Sequence, residues 1–219
     1  MTKTSAIPLK EKIYSQLRNE IVFGKLGPGE HVKEADLTAK FACSRGPIRE
    51  AFNQLEKEGF LVLVPNRGAV VSKTSPEEVA DYYSLLELLE GKAVEWATPR
   101  LKPADIKKGE RINKAIKQIS HEDRNSIEAW VPLNLDFHRL FREKCGNSRM
   151  DQTVEEIRMR ITRYRYTSLL VAASDEYIRD HELIIEAIRR GDAKGAGDAM
   201  RTHIRRARKV LLDFLYKFP

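Results

Sequence analysis

Apolar residues recur along most of this 219-residue chain with the 3.6-residue period of an α-helix, and the places where the period fails mark its organisation. Around residue 50, Ile48, Ala51, Phe52 and Leu55 fall at i, i+3, i+4 and i+7 as one apolar stripe, and Arg45, Arg49 and Asn53 occupy the opposite face. Ser44 stands where an N-cap belongs, its hydroxyl suited to a free N–H of the first turn. Pro47 falls within that turn, where its missing N–H costs nothing. Gly59 is placed to end the helix through a left-handed residue. The pattern then switches: Phe60–Val64 and Ala69–Val71 are β-rich runs around Pro65-Asn66-Arg67-Gly68, a hairpin turn signal. Upstream, a short helix begins near Glu34. An amphipathic helix over Leu9–Phe23 sets Ile13, Leu17 and Ile21 on one side, and the turn Gly27-Pro28-Gly29 separates the two. Residues 1–8 are polar, end in Pro8 and predict a disordered start.

Past the polar linker Ser72–Pro76 only helical periodicity remains. Ser75, with Pro76 at the first helical position and Glu78 three residues after the cap, predicts a capping box opening a helix to Ala97. Further helices are expected over Pro103–Ile119, Ile127–Lys144, Met150–Leu170, Asp175–Arg190 and Asp192–Tyr216. Their separators, among them His121-Glu122-Asp123, Gly146-Asn147, Ala172-Ala173-Ser174 and Gly191, are short enough to imply antiparallel neighbours in a bundle. The expected fold is mainly α. Residues 1–74 form a winged helix-turn-helix with a small β-hairpin, and residues 75–219 an all-helical bundle.

A helix with a packed back and a front of forked donors suits the major groove of DNA, where Arg pairs with guanine and Asn with adenine. The alternative is a small α+β domain with a solvated basic helix. Charge tilts the choice slightly. The net charge is +7, and the first 75 residues hold 12 of the 39 Lys and Arg against 8 of the 32 Asp and Glu. More than half of the excess therefore lies in a third of the chain, as a polyanionic partner would favour. Cys43 and Cys145 fit no metal or redox spacing, and Cys43 reads as a small core residue. Trp96 and Trp130 read as core packing. No signal peptide and no run of 18 apolar residues is present, so a cytoplasmic protein with no membrane partner is expected.

From Leu9 to Val71 the chain resembles the DNA-binding domain of the GntR family of bacterial transcription regulators. The matching pieces include Leu17-Arg18, Gly24-Lys25-Leu26, Pro28-Gly29, Glu34-Ala35-Asp36-Leu37, Ser44-Arg45, Pro47-Ile48-Arg49-Glu50-Ala51 and Pro65-Asn66-Arg67-Gly68. The resemblance implies a homodimer with one helix in each half-site of a pseudo-palindromic operator. Arg45 and Arg49 would make base and phosphate contacts, and Arg67 wing contacts. Lys33, Ser44, Gly46, Asn66 and Gly68 would contact or position phosphates. Gly46 departs from the Thr of many relatives.

His138, His181 and His203 stand on three different predicted helices, and Asn134 lies one turn before His138 on the same face. Three imidazoles and an oxygen ligand would suit a first-row divalent metal with open positions. On spacing alone, surface or core histidines are the competing reading. The stretch from Pro76 to Tyr216 resembles the FCD ligand-binding and dimerisation domain of the FadR subfamily. It does so through Leu89-Glu90-Gly91, Phe137-His138, Gly146-Asn147, His181-Glu182, Gly191-Asp192-Ala193 and His203-Ile204. That resemblance implies one divalent ion (zinc, nickel or manganese) on Asn134, His138, His181 and His203, beneath a pocket for a small carboxylate effector. Asn134 replaces the usual Asp, which makes the ligand set neutral, and Leu86 replaces an Arg that faces the effector in many relatives. Arg158, Arg160 and Arg163 are candidates to hold the effector's acid group instead. The competing class, a metal-dependent hydrolase, would need Asp136, Glu143 or Glu182 as general base. A dedicated metal sensor is the third reading. A repressor relieved by its ligand is the expected regulator, and no enzymatic activity is expected.

Overall fold

The computed structural model describes residues 8–22, 24–65, 67–73, 75–119, 124–169 and 175–217, with the backbone alone at 22, 124–128, 162–169 and 217. The first seven residues, Asn66 of the hairpin turn and the separators His121-Glu122-Asp123 and Ala172-Ala173-Ser174 lie outside them. The chain divides into two compact units, Met1–Thr74 and Ser75–Pro219.

In the first unit, helix α1 spans Leu9–Val22, α2 Glu34–Phe41 and α3 Arg45–Lys57. Ile13, Leu17 and Ile21 of α1 and Ile48, Ala51, Phe52 and Leu55 of α3 are all buried. Each large apolar side chain removed from water this way stabilises the fold by about 1.5–3 kcal/mol. Gly59 follows α3 at φ +78°. Ser44 takes the N-cap backbone geometry, φ −70° and ψ 169°, yet its hydroxyl makes no cap hydrogen bond and stays exposed. The expected cap is therefore one of backbone conformation only. Cys43 is half-buried rather than a core residue.

The wing differs from the expected two-stranded hairpin. Strands β2 (Leu61–Val64) and β3 (Gly68–Val71) pair antiparallel, and a two-residue strand β1 (His31–Val32) joins the free edge of β3, giving the order β1-β3-β2. Gly68 makes this possible. Its φ is +90°, and a Cβ there would come 2.4 Å from the Val32 carbonyl oxygen. The strand carries too few residues to show any period of its own.

The second unit is the expected helical bundle. Its helices are α4 (Pro76–Ala97, followed by a 3-10 turn to Arg100), α5 (Pro103–Lys117), α6 (Arg124–Arg142), α7 (Ser148–Leu169), α8 (Asp175–Arg189) and α9 (Ala193–Lys217). Ser75 Oγ accepts from Glu78 N at 3.1 Å, which forms the serine half of the predicted box, while Glu78 itself accepts from Tyr82 Oη. Side chains that the sequence placed in separators or inside helices act as caps. Asn147 Oδ1 accepts from Met150 N, and Asp192 Oδ1 from Gly195 N. Helix α4 packs against α9, α7 and α6, and α8 against α9 and α5. The α4–α9 crossing is close, since a Cβ on Gly197 would lie 2.8 Å from the Gly91 carbonyl oxygen. Trp130 is fully buried, but Trp96 is 38% exposed with the Lys92 ammonium 5.8 Å from its ring, so it is not core.

Candidate metal centre and nucleic-acid face

In the first unit the basic side chains converge on one concave face. Lys33 precedes α2, Arg45 opens α3, Arg49 lies one turn further on, and Arg67 follows the β2 turn; all four line the same groove and all are exposed. Lys33, Arg45 and Arg67 make no ion pair among the described residues, so their charge is available to a partner. Arg49 differs: its Nε donates to Glu34 Oε1 at 2.9 Å. Gly46 is exposed beside Arg45, with only Ser44 Oγ, 3.9 Å from an ideal Cβ, nearby. Gly68 is packed against the Val32–Glu34 backbone, which leaves no room for a side chain at the base of the wing. Asn66 lies outside the described residues.

In the second unit the three predicted histidines come together. His138 on α6, His181 on α8 and His203 on α9 each offer a ring nitrogen, and these nitrogens lie within 4.8 Å of one another. All three rings are buried, and Phe137 stacks on His181 at 3.8 Å between centroids. Two of the Nδ1 atoms are at hydrogen-bond distance from an acceptor, and the third lies near a carboxylate. His138 Nδ1 lies 2.7 Å from Glu90 Oε2, His181 Nδ1 3.0 Å from Asn113 Oδ1, and His203 Nδ1 3.5 Å from Asp180 Oδ2. Asn113 has its amide orientation fixed, because its Nδ2 donates to the Ile178 carbonyl. With the proton on Nδ1 in each ring, the Nε2 lone pairs are the ones left to converge. This is how outer carboxylates and amides orient metal-ligating imidazoles.

Asn134 is the fourth candidate ligand. It is fully buried one turn from His138, and neither its Oδ1 nor its Nδ2 has a hydrogen-bond partner among the described residues. A buried amide left in that state costs about 1–3 kcal/mol, and an ion accepting its oxygen removes the cost on that side. Three imidazole nitrogens and one amide oxygen thus fit a borderline first-row divalent ion.

Charge around the centre is balanced in pairs. Glu90 is shared between His138 and the Nε of Arg158, and Asp180 between His203 and Arg206 Nε, the latter at 2.9 Å. Burial alone would raise the Glu90 pKa, but Arg158 and His138 outweigh it and hold the carboxyl well below the usual range. Burial, reinforced by the Arg158 charge, pushes the His138 pKa well down, so the ring is neutral and free to ligate.

Of the two candidate effector arginines whose side chains are described, Arg158 is buried at this centre. Arg160 is exposed beside Tyr82 on α4, away from the histidines, because two residues along a helix reverse the face. The Arg163 side chain lies outside the described residues. Asp136 (paired with Arg139), Glu143 and Glu182 all face solvent, so none is placed as a general base. The partners Glu90, Asn113 and Asp180 were missed by sequence reasoning. A signal for the first existed: Glu90 sits in register with Val79, Tyr83, Leu86 and Ala97, the buried stripe of α4.

The fold and the two sites define a winged-helix DNA-binding module followed in the chain by an all-helical sensory domain. Comparison with known proteins agrees. Residues 9–71 match the bacterial regulatory proteins of the gntR family and residues 81–206 the FCD domain. An uncharacterized HTH-type transcriptional regulator from an unstable DNA locus of Streptomyces ambofaciens is 30% identical, over 94% of this chain and 86% of its own. The HTH-type transcriptional repressor RspR of Escherichia coli K12 is 28% identical, over 90% and 86%. Escherichia coli McbR/YncC shares the fold with a TM-score of 0.76 at 19% identity, covering 97% of this chain and 99% of its own. The chain belongs to the GntR family. It is a transcriptional regulator with an FCD effector-binding domain, not an enzyme. No helix among the described residues is long and apolar enough to cross a membrane.

Proposed function

We propose that this regulator is a FadR-type repressor, active in the cytoplasm, that binds a pseudo-palindromic operator as a homodimer through residues 1–74. Residues 75–219 bind the effector and dimerise. Arg45, Arg49, Lys33 and Arg67 carry the DNA contacts, with Ser44, Gly46, Asn66 and Gly68 shaping the same surface. The effector domain holds one divalent ion, zinc, nickel or manganese, on Asn134, His138, His181 and His203. The observation that carries this reading is the convergence of three buried ring nitrogens, with Glu90, Asn113 and Asp180 next to the rings.

When bound, such an ion supplies open coordination positions for a ligand oxygen. The residues around it dictate the ligand's charge. Three neutral imidazoles and a neutral amide do not compensate a divalent charge, and Glu90 and Asp180 are already shared with Arg158 and Arg206. One carboxylate offsets half of that charge, and a ligand with two acid groups restores neutrality. Arg158 is the cation closest to hand for a second acid group. The repressor assignment takes support from the name of the 28% identical RspR.

The test is elemental analysis of untagged protein before and after chelator dialysis, followed by DNA binding of both forms with and without small carboxylates. About one tightly held ion per chain, and DNA affinity that changes only when a carboxylate joins the ion, is the expected result. Affinity that changes with the ion alone would make the three-histidine site the sensor itself. No ion, and none taken up from added zinc, nickel or manganese, would end the metal reading.

A further inference from the structure

The basic groove of the first unit contains one residue of the wrong sign. Glu34 sits among Lys33, Arg45, Arg49 and Arg67, on a face whose partner is a polyanion. By charge alone it opposes binding. Its geometry gives it another task. Glu34 is the first residue of α2, and the backbone there is fixed twice: by the helix, and by the wing, where a Cβ on Gly68 would come within 3.4 Å of Glu34 N. From this anchored position its carboxylate accepts from Arg49 Nε at 2.9 Å.

A guanidinium offers two donor edges, Nε with one Nη, and the two Nη groups together. The bond to Glu34 occupies the first. The second has no partner among the described residues, and Arg49 remains 63% exposed against 20% for Glu34. The end-on fork is the edge that pairs with O6 and N7 of guanine in the major groove. The carboxylate also limits the rotamers of a long, otherwise free side chain before DNA arrives.

We infer that Glu34 is a positioning residue for sequence readout: it aims the Nη1–Nη2 edge of Arg49 at a guanine and sets specificity without touching DNA. This rests on the reading of Arg49 as a base contact, and the experiment separates the two. A duplex is selected from a random double-stranded library by the wild-type protein. Affinities are then measured at fixed salt for that duplex and for one with its half-site guanines replaced, using wild type, E34A, E34Q and R49A.

E34A removes the acceptor, and the ratio of the two affinities falls about tenfold, the loss expected of one misaimed bidentate contact. E34Q keeps an oxygen acceptor without the charge and retains most of the ratio. If Glu34 acted only as a misplaced negative charge, E34A and E34Q would both tighten binding to the two duplexes alike and leave the ratio unchanged; that result overturns the inference. Equal loss of ratio in E34A and E34Q overturns it too, because acceptor geometry would then be irrelevant. R49A reports on the underlying reading. A ratio unchanged in R49A removes the base contact and the inference together, whereas a ratio lost in R49A but kept in E34A removes the inference alone.

Discussion

Asn134 is the candidate ligand on which the proposed metal chemistry turns. It is fully buried one turn from His138, and its amide has no partner among the described residues. Replacing it with a carboxylate should have two opposite effects. Asn134→Asp adds a charged hard ligand, so zinc or nickel affinity should rise by on the order of tenfold. Without metal, the same carboxylate is desolvated among neighbours whose charges are already matched, so the chelated variant should melt below chelated wild type. Competition against a chromophoric chelator measures the first effect and a thermal melt the second. Unchanged metal affinity would place Asn134 outside the coordination sphere.

At the scale of elements, α1 and the end of α3 are joined by one hydrogen bond that reports its own formation. Tyr14 Oη donates to Glu58 Oε2 at 2.6 Å. Burial, then the bond to Glu58, push the Tyr14 pKa up from 10.0 to about 12. A phenol whose folded pKa is raised gives stability that is complete below the unfolded value and lost as pH rises through the folded one. The first unit should therefore lose stability between pH 10 and 12, more steeply in wild type than in Tyr14→Phe. A phenolate difference spectrum between the two proteins should titrate near 12. Titration near 10 would show that the bond is absent in solution.

These elements also show what the sequence discloses and where it stops. Helix α3 is legible because Ile48, Ala51, Phe52 and Leu55 keep the helical period and Gly59 ends it. The same reading brings His138, His181 and His203 onto separate helices. It does not bring their partners, because Glu90, Asn113 and Asp180 come from α4, α5 and α8, and only tertiary packing decides which polar residue in a buried stripe meets which ring. Ser44 fails in the opposite way: its residue type predicts a side-chain cap, and the backbone alone adopts it. Trp96 was expected in the core by residue type, but its position on α4 leaves it exposed.

For the whole molecule, the division into two units predicts two responses to one ion. A ligand that binds only the folded state stabilises it by about 2.7 kcal/mol at a hundredfold excess over its dissociation constant. The histidine cluster lies wholly within Ser75–Pro219. Calorimetry with and without chelator should therefore shift one transition and leave the melting of the winged unit in place. A scan in which no transition moves would count against a structural ion.

Strand β1 ties the wing to the start of α2 by pairing His31 with Val70 and Val32 with Ala69. Lys33, Glu34 and the base of the wing are thereby one body before DNA arrives. Surfaces ordered in advance leave little chain entropy to be lost on association. The winged unit should accordingly bind with the small heat-capacity change of a docking event, without the large one that accompanies folding coupled to binding.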